Sequence, residues 1–210
     1  MSTRQQAFIE QIAGPARQSS LQSGIFPSVT IAQAILETGW GENVPVDQAT
    51  GRYSYNLFGI KGSGPAGSVT IVSKEVENGR TVDRTSQFKA YSSFQQSFDD
   101  HAQFLLQPNY RQVVTANTPE AAAQALQSAG YATDPQYAEK LSRLINAYNL
   151  KQYDNVTAPI PPWKTELGKR ALAEGLITSP EWLGKLDEPM PVWAVLAVAL
   201  RLLDKQRGKS

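Results

Sequence analysis

Residues 26–39 have the sequence FPSVTIAQAILETG, and the rest of the fold is organised around this stretch. It is mostly apolar, with a proline near its first turn and Gly39 at its end. This arrangement is typical of a helix that begins at the proline and stops at the glycine. A helix this apolar is expected at the centre of a domain. Its one charged residue is Glu37, near the carboxyl end.

The position of Glu37 allows two interpretations. If Ile35, Leu36 and Trp40 help to bury the carboxyl, loss of solvation raises its pKa and lets it act as a general acid. If the helix end faces water, Glu37 has no special role. The spacing of the residues leaves both open.

The composition excludes several kinds of chemistry. The 210-residue chain has no cysteine and a single histidine, His101. Disulfides, thiolate nucleophiles and thiolate zinc sites are therefore excluded, and a histidine-rich metal site or a Ser-His-Asp triad is disfavoured. Carboxylates are the expected catalysts, and neither a metal nor an organic cofactor is predicted. Because 20 Lys and Arg nearly balance 19 Asp and Glu, no nucleic-acid partner is expected.

Nothing in the apolar pattern predicts insertion into a membrane. The first 18 residues lack the apolar stretch of a secretory signal, and the longest apolar run, Val192–Leu200, is too short to cross a bilayer. We therefore expect a soluble protein made in the cytoplasm, which needs a separate route of release if it acts outside.

The remaining sequence predicts a mixture of helices with one hairpin. Two β-prone runs, residues 69–72 and 81–88, flank Asn78-Gly79, a pair typical of a type I′ hairpin turn. Apolar spacing at the helical period, together with capping residues, predicts further helices. They cover residues 93–106, 118–129, 135–148, 163–174 and 191–204.

A proline-rich segment divides the chain. Residues 156–162 contain three prolines, which disfavour helix and predict an extended linker. We therefore expect an α+β domain at residues 1–155, the linker at 156–162, and a small helical module at 163–210. Three tryptophans of this module, Trp163, Trp182 and Trp193, are expected to form its core.

Four motifs follow one another along the chain. They are AILETGWG at 34–41, YNLFGIKG at 55–62, FKAY at 88–91 with SFDDH at 97–101, and GYATDP at 130–135. Together and in this order they resemble the β-N-acetylglucosaminidases of glycoside hydrolase family 73, which include bacterial autolysins and phage endolysins. The resemblance covers about residues 5 to 150 and implies a lysozyme-like fold, in which a mainly helical lobe and a small β-hairpin lobe enclose a peptidoglycan cleft.

The resemblance implies three catalytic residues. Glu37 matches the general acid at the end of the family's central helix. Glu75, on the first strand of the hairpin, matches the second acidic residue of the β-lobe, although an exposed strand glutamate would look the same. Tyr131 matches the tyrosine that lines the cleft near the scissile bond. His101 matches a packed position and is assigned to structure.

The same motifs imply the residues that bind substrate. They are Asn56, Phe58, Trp40, Tyr91 and Asp134. The amide of Asn56 would hold an N-acetyl group. Phe58 either stacks on a sugar ring or packs in the core.

The implied activity is that of a peptidoglycan hydrolase of the phage endolysin type, which cleaves the β-1,4 bond between N-acetylglucosamine and N-acetylmuramic acid. Glu37 would protonate the leaving oxygen. Either Glu75 then activates a water, with inversion, or the 2-acetamido group of the substrate attacks, with Tyr131 and Asn56 orienting it and with retention. Two alternatives are a lytic transglycosylase of the same fold and a non-catalytic wall-binding or assembly protein.

The C-terminal module resembles, more weakly, small wall-associated modules similar to S-layer homology segments. Wall binding, a packing appendage and a dimerisation arm all stay open for residues 163–210. The enzyme is expected to be a monomer whose partner is bacterial peptidoglycan, and to act at the wall after release from the cytoplasm.

Overall fold

Helix α2, Pro27–Thr38, is the buried centre of the larger part of the protein. The computed structural model describes residues 2–77, 80–156, 162–184, 190, 192–206 and 208. Pro27 occupies the first turn of α2, and Gly39 ends the helix in the left-handed conformation at φ 55°. The predicted start and stop of this central helix are confirmed.

The helix that precedes it was not predicted from the sequence. Helix α1, Thr3–Ser23, begins with a capping box between Ser2 and Gln5 and ends at Gly24, whose φ is 74°. Its apolar residues, among them Ile9 and Ile12, are buried in the same core as α2. Pro15 lies inside this helix, where its missing N–H weakens the helical signal of the sequence.

Four further helices complete this part of the protein. They are α3 Phe94–Leu105, α4 Arg111–Val114, α5 Pro119–Ser128 and α6 Tyr137–Ala147. Ser93 caps α3 and Thr118 caps α5, each by accepting a backbone N–H at its side chain, as the sequence predicts for Thr118. Short 3₁₀ turns follow α3 and α6 at Pro108–Tyr110 and Leu150–Tyr153.

A two-stranded antiparallel sheet forms the small lobe. Strand β1 runs from Ser68 to Glu77 and strand β2 from Arg80 to Lys89, so both are longer than predicted. The register pairs Ser68 with Lys89 at one end and Glu77 with Arg80 at the other. The predicted Asn78-Gly79 turn lies outside the described residues. A mainly helical protein with one hairpin is the predicted α+β architecture.

The chain divides into two units, Met1–Val156 and Thr157–Ser210. The second unit contains α7, Pro162–Ala173, a 3₁₀ turn at Pro180–Gly184, and α8, Val192–Gln206. The predicted extended linker falls mostly on residues outside those described. Among the described helices, none combines the length and the apolarity that crossing a bilayer requires.

The predicted tryptophan core of the second unit is wrong for one of its three members. Trp193 is 68% exposed on α8, whereas the adjacent Ala194 is buried. Neighbouring helical positions point about 100° apart, so burial of Ala194 turns Trp193 toward water. Trp182 is half-buried, and the side chain of Trp163 lies outside the described residues.

Candidate active site

Glu37 borders a cavity of about 270 Å³ in the larger unit. The last turn of α2 positions Glu37, the loop after Asn56 supplies Phe58, helix α3 supplies His101, and the turn after α5 supplies Tyr131. Four separate stretches of chain therefore meet here. Ile60 and Phe104 complete the lining.

The surroundings of Glu37 raise the pKa of its carboxyl. Glu37 is exposed when the whole residue is considered, yet the protein around its carboxyl removes part of its water. This burial raises the pKa of Glu37, and a hydrogen bond from Tyr137 partly offsets the rise. A carboxyl with a raised pKa that opens on a cavity has the properties of a general acid.

Tyr137 connects Glu37 to the buried face of α2. Its hydroxyl lies 3.5 Å from Glu37 Oε1, and it accepts a hydrogen bond from Gln33 Nε2 at 3.1 Å. Gln33 and Glu37 are one helical turn apart on α2, so both reach the same side of the helix. Burial raises the pKa of Tyr137, and the phenol is therefore neutral near pH 7.

Tyr131 also lines the cavity, where its hydroxyl contacts His101 and its ring stacks on Tyr137 with centroids 5.6 Å apart. Its hydroxyl lies 3.0 Å from His101 Nε2, and the imidazole stacks on Phe58 with ring centroids 3.8 Å apart. Burial lowers the pKa of His101 to about 3, although the charge of Asp100 opposes this. The imidazole is thus uncharged near neutral pH. Burial also raises the pKa of Tyr131, so its phenol keeps its proton.

Asn56 does not have the free amide that was predicted to hold an N-acetyl group. The residue is 0% exposed. Its Nδ2 donates to the carbonyls of Ile60 and Lys89 at 2.9 and 3.0 Å, and its Oδ1 accepts from the amides of Phe58 and Ile60 at 3.3 and 3.1 Å. These bonds occupy the amide, so Asn56 shapes the loop that carries Phe58 and Ile60.

Tyr91, also predicted to bind substrate, is buried and does not line the Glu37 cavity. It is 2% exposed, and its hydroxyl donates to Asp100 Oδ2 at 2.7 Å. Lys89 Nζ forms an ion pair with the same carboxyl at 2.8 Å. Through these bonds Lys89 at the end of β2 and Tyr91 just after it are tied to Asp100 on α3.

Asp134 and Trp40 lie outside the lining of the Glu37 cavity. Asp134 accepts from the Gln136 amide at 2.9 Å and pairs with Lys140 at 2.5 Å, which stabilises the start of α6. Trp40 packs edge-on against Tyr148, with centroids 4.6 Å apart, and borders a different cavity. The structure does not bring these two predicted binding residues to Glu37.

Glu75 lies on β1, as the sequence predicts, with its backbone opposite Val82. Its side chain is outside the described part of the structure.

Comparison with known proteins identifies the family. Residues 13–150 match the glucosaminidase family, described as mannosyl-glycoprotein endo-beta-N-acetylglucosaminidase. The chain belongs to this glucosaminidase family. The resemblance to glycoside hydrolase family 73 is thereby confirmed, and the matched range contains Glu37, Tyr131 and the whole cavity lining.

Relatives and a solved structure agree with this assignment. The chain is 40% identical over 158 residues to exo-glucosaminidase LytG of Bacillus subtilis, and 41% identical over 161 residues to a probable N-acetylmuramidase of Lactococcus lactis. These matches cover 72% and 73% of this chain but only 54% and 36% of the two relatives. The truncated glycoside hydrolase domain of FlgJ from Salmonella typhimurium is 39% identical, with a TM-score of 0.63, over 69% of this chain and 97% of that one. The predicted fold is confirmed.

Sequence reasoning missed several side chains at this glucosaminidase site. Gln33 contacts Tyr137, and Tyr137 contacts Glu37, but neither Gln33 nor Tyr137 is among the predicted site residues. His101 lines the cavity in addition to being buried as expected. The signal for Gln33 was present, since it is a long polar side chain in an otherwise apolar helix, four residues before Glu37. Tyr137 and His101 carried no such local signal.

Proposed function

We propose that this chain is a peptidoglycan hydrolase that cleaves the β-1,4 bond between N-acetylglucosamine and N-acetylmuramic acid, with Glu37 as its general acid. The observation that carries the proposal is the carboxyl of Glu37, whose pKa is raised by burial at the edge of a cavity lined by Tyr131, His101 and Phe58. Membership of the glucosaminidase family supports the reaction type.

The chemistry follows from the protonation of Glu37. A glycosidic oxygen is a poor leaving group unless it is protonated as the bond breaks and positive charge develops on the sugar. A carboxyl that is still protonated near the working pH delivers that proton. The neutral phenol of Tyr131 supplies a hydrogen-bonding group to the same cavity, and the rings of Phe58 and Phe104 supply apolar surface.

Substitution of Glu37 by Gln tests the proposal. Glutamine keeps the shape of the side chain but cannot deliver a proton, so hydrolysis of purified cell walls is expected to fall by roughly 2 to 4 powers of ten. Glu139→Gln is the matched control, because Glu139 is an exposed residue of α6 that pairs with Arg143 away from the cavity. Near-native turnover by Glu37→Gln would contradict the assignment.

The products identify the bond. The relatives are named both as glucosaminidase and as N-acetylmuramidase, so the choice of bond in this chain is our proposal. New reducing ends on N-acetylglucosamine, detected by mass spectrometry after borohydride reduction, are expected. Reducing ends on N-acetylmuramic acid would correct the bond, and anhydro-muramyl ends would indicate a lytic transglycosylase.

The second half of the reaction has two candidate routes. Glu75 can activate a water, which inverts the anomeric carbon, or the 2-acetamido group of the substrate can attack with help from Tyr131, which retains it. Among the described residues that line the cavity, Glu37 is the one carboxylate. The configuration of the fresh product, measured by NMR, separates the two routes.

We further propose that residues 163–210 bind the cell wall, and that the protein is of the phage endolysin type and reaches the wall after release from the cytoplasm. The support for the first part is the division of the chain at Val156, which leaves every cavity residue in the first unit. Deletion of the module tests it through binding to intact walls.

A further inference from the structure

Two buried polar atoms beside the cavity lack a hydrogen-bond partner among the described residues. They are Gln33 Oε1 and His101 Nδ1. Both residues are 0% exposed. In each case the other polar end of the side chain contacts a phenol, Tyr137 for Gln33 and Tyr131 for His101. The unpaired atoms therefore indicate which group is the donor and which the acceptor in each of these two hydrogen bonds.

For Gln33, the unpaired atom favours the amide orientation in which Nε2 faces Tyr137. The reverse orientation would leave the amide N–H groups without this acceptor in the interior. A buried N–H without a partner is rarer in proteins than a carbonyl oxygen without one, because the N–H loses its hydrogen bond to water and gains none in return. Gln33 Nε2 thus donates to the oxygen of Tyr137, and the hydroxyl hydrogen of Tyr137 is directed to Glu37 Oε1, 3.5 Å away.

The same argument selects the tautomer of His101. Burial keeps the ring neutral, so one nitrogen carries hydrogen and the other does not. If Nδ1 carried it, a buried N–H would have no partner among the described groups. Nε2 therefore carries the hydrogen and donates to the Tyr131 oxygen at 3.0 Å. The hydroxyl hydrogen of Tyr131 is then left to point into the cavity.

We propose that Gln33 and His101 are positioning residues that set the direction of two phenol hydrogens, so that Tyr137 donates to Glu37 while Tyr131 donates into the cavity. This inference rests on the proposed hydrolase activity. Its consequence for Glu37 is that Oε1 is held as an acceptor, which leaves the acidic proton to Oε2. Its consequence for Tyr131 is a fixed donor for an oxygen of the substrate or for a water.

The other charged side chains on the elements packed against α2 form hydrogen bonds or ion pairs with groups other than Glu37. Besides Glu37, the titratable residues that line the cavity are His101 and Tyr131, and Tyr137 contacts Glu37. Behind them, the charge of Asp100 acts on His101, and Tyr110 packs on Tyr131. The side chain of Glu75 is not described. The charged side chains of the neighbouring elements have the following partners: Arg4 with Glu42, Glu10 with Gln6, Arg17 with the Asn155 carbonyl, Glu120 with Lys151, Asp154 with Ser28, Lys140 with Asp134, and Arg143 with Glu139.

The first test concerns the pKa of Glu37. Tyr137→Phe removes a donor that favours the carboxylate, so the pKa of Glu37 should rise by about 0.5 to 1 unit. Gln33→Met should raise it less, since Tyr137 keeps its hydroxyl. If Gln33 acts through Tyr137, Gln33→Met has no further effect in the Tyr137→Phe background.

Two readouts separate this inference from the proposed function. Carboxyl NMR titration of ¹³C-labelled glutamate, with Glu37→Gln to assign the signal, reports the pKa without any activity. The alkaline limb of kcat/KM on cell walls should move upward by the same amount. A wild-type protein that leaves walls intact would refute the hydrolase proposal alone. An unchanged pKa of Glu37 in Tyr137→Phe would overturn the role of Gln33. So would a pKa shift in Gln33→Met that is as large as the shift in Tyr137→Phe and adds to it in the double variant.

The second test concerns Tyr131. His101→Gln keeps an N–H that can reach the phenol, whereas His101→Phe keeps only the stacking on Phe58. His101→Phe is expected to lower kcat about tenfold, which corresponds to the loss of one oriented hydrogen bond, and to change KM by less than about twofold. His101→Gln should recover most of the lost kcat. In the Tyr131→Phe background the two variants should be equal. Equal kcat values with Tyr131 present, in variants with native circular dichroism, would overturn the role of His101.

Discussion

Acidification should destabilise the first unit through the buried imidazole of His101. Burial lowers the pKa of His101 to about 3, whereas a histidine in an unfolded chain titrates near 6.5. Between these values the unfolded state binds a proton and the folded state does not. The stability that is complete above pH 6.5 is therefore lost as pH falls toward 3.

The magnitude can be worked from this difference. Linkage gives a loss of about 2 kcal/mol in the free energy of unfolding between pH 7.5 and pH 5. This value depends mainly on the pKa of His101 in the unfolded chain. In the folded protein the imidazole is almost entirely uncharged at pH 5, so its own pKa contributes little to the difference. Two kcal/mol is a large part of the stability of a domain this size.

Urea denaturation followed by circular dichroism tests the prediction. The wild type and His101→Gln are compared at both pH values, since glutamine does not titrate and retains an N–H for Tyr131. Glu37, Asp154 and Asp47 also have shifted pKa values, but they are the same in both proteins. The wild type should lose about 2 kcal/mol more than the variant. Parallel pH dependences would refute the reasoning.

Other predictions concern the loop, the β-lobe and the module. Asn56→Ala removes four hydrogen bonds of a buried side chain, so urea denaturation should show a loss of about 2 to 4 kcal/mol; native stability with only a raised KM would restore its predicted binding role. Glu75→Gln should lower kcat at least about a hundredfold if Glu75 is the base, and a retained product configuration would remove it from that role. A chain that ends at Asn155 should unfold cooperatively and cleave soluble glycans while binding intact walls more weakly. Failure of that fragment to fold would mean that the two units are not independent.

The helices that carry the site could be found from sequence because their limits are local. Gly39 stops α2 by adopting a conformation that costs glycine little, and Thr118 starts α5 through a bond to an amide three residues away. Glu37 was found for a similar reason, as the one charge in an apolar helix within a familiar motif. Helix α1 was missed because Pro15 interrupts the local signal that these others display.

The partners of the site residues were decided only by the tertiary structure. Gln33 and Tyr137 lie 104 positions apart, and His101 and Tyr131 lie 30 apart, so no periodicity joins them. Motif membership marked Asn56 and Tyr91 as important but did not reveal that their polar groups face the interior. Residue type determines which hydrogen bonds a side chain can make. Which of them it does make depends on the groups that folding brings within about 3 Å, and those come from distant parts of the chain.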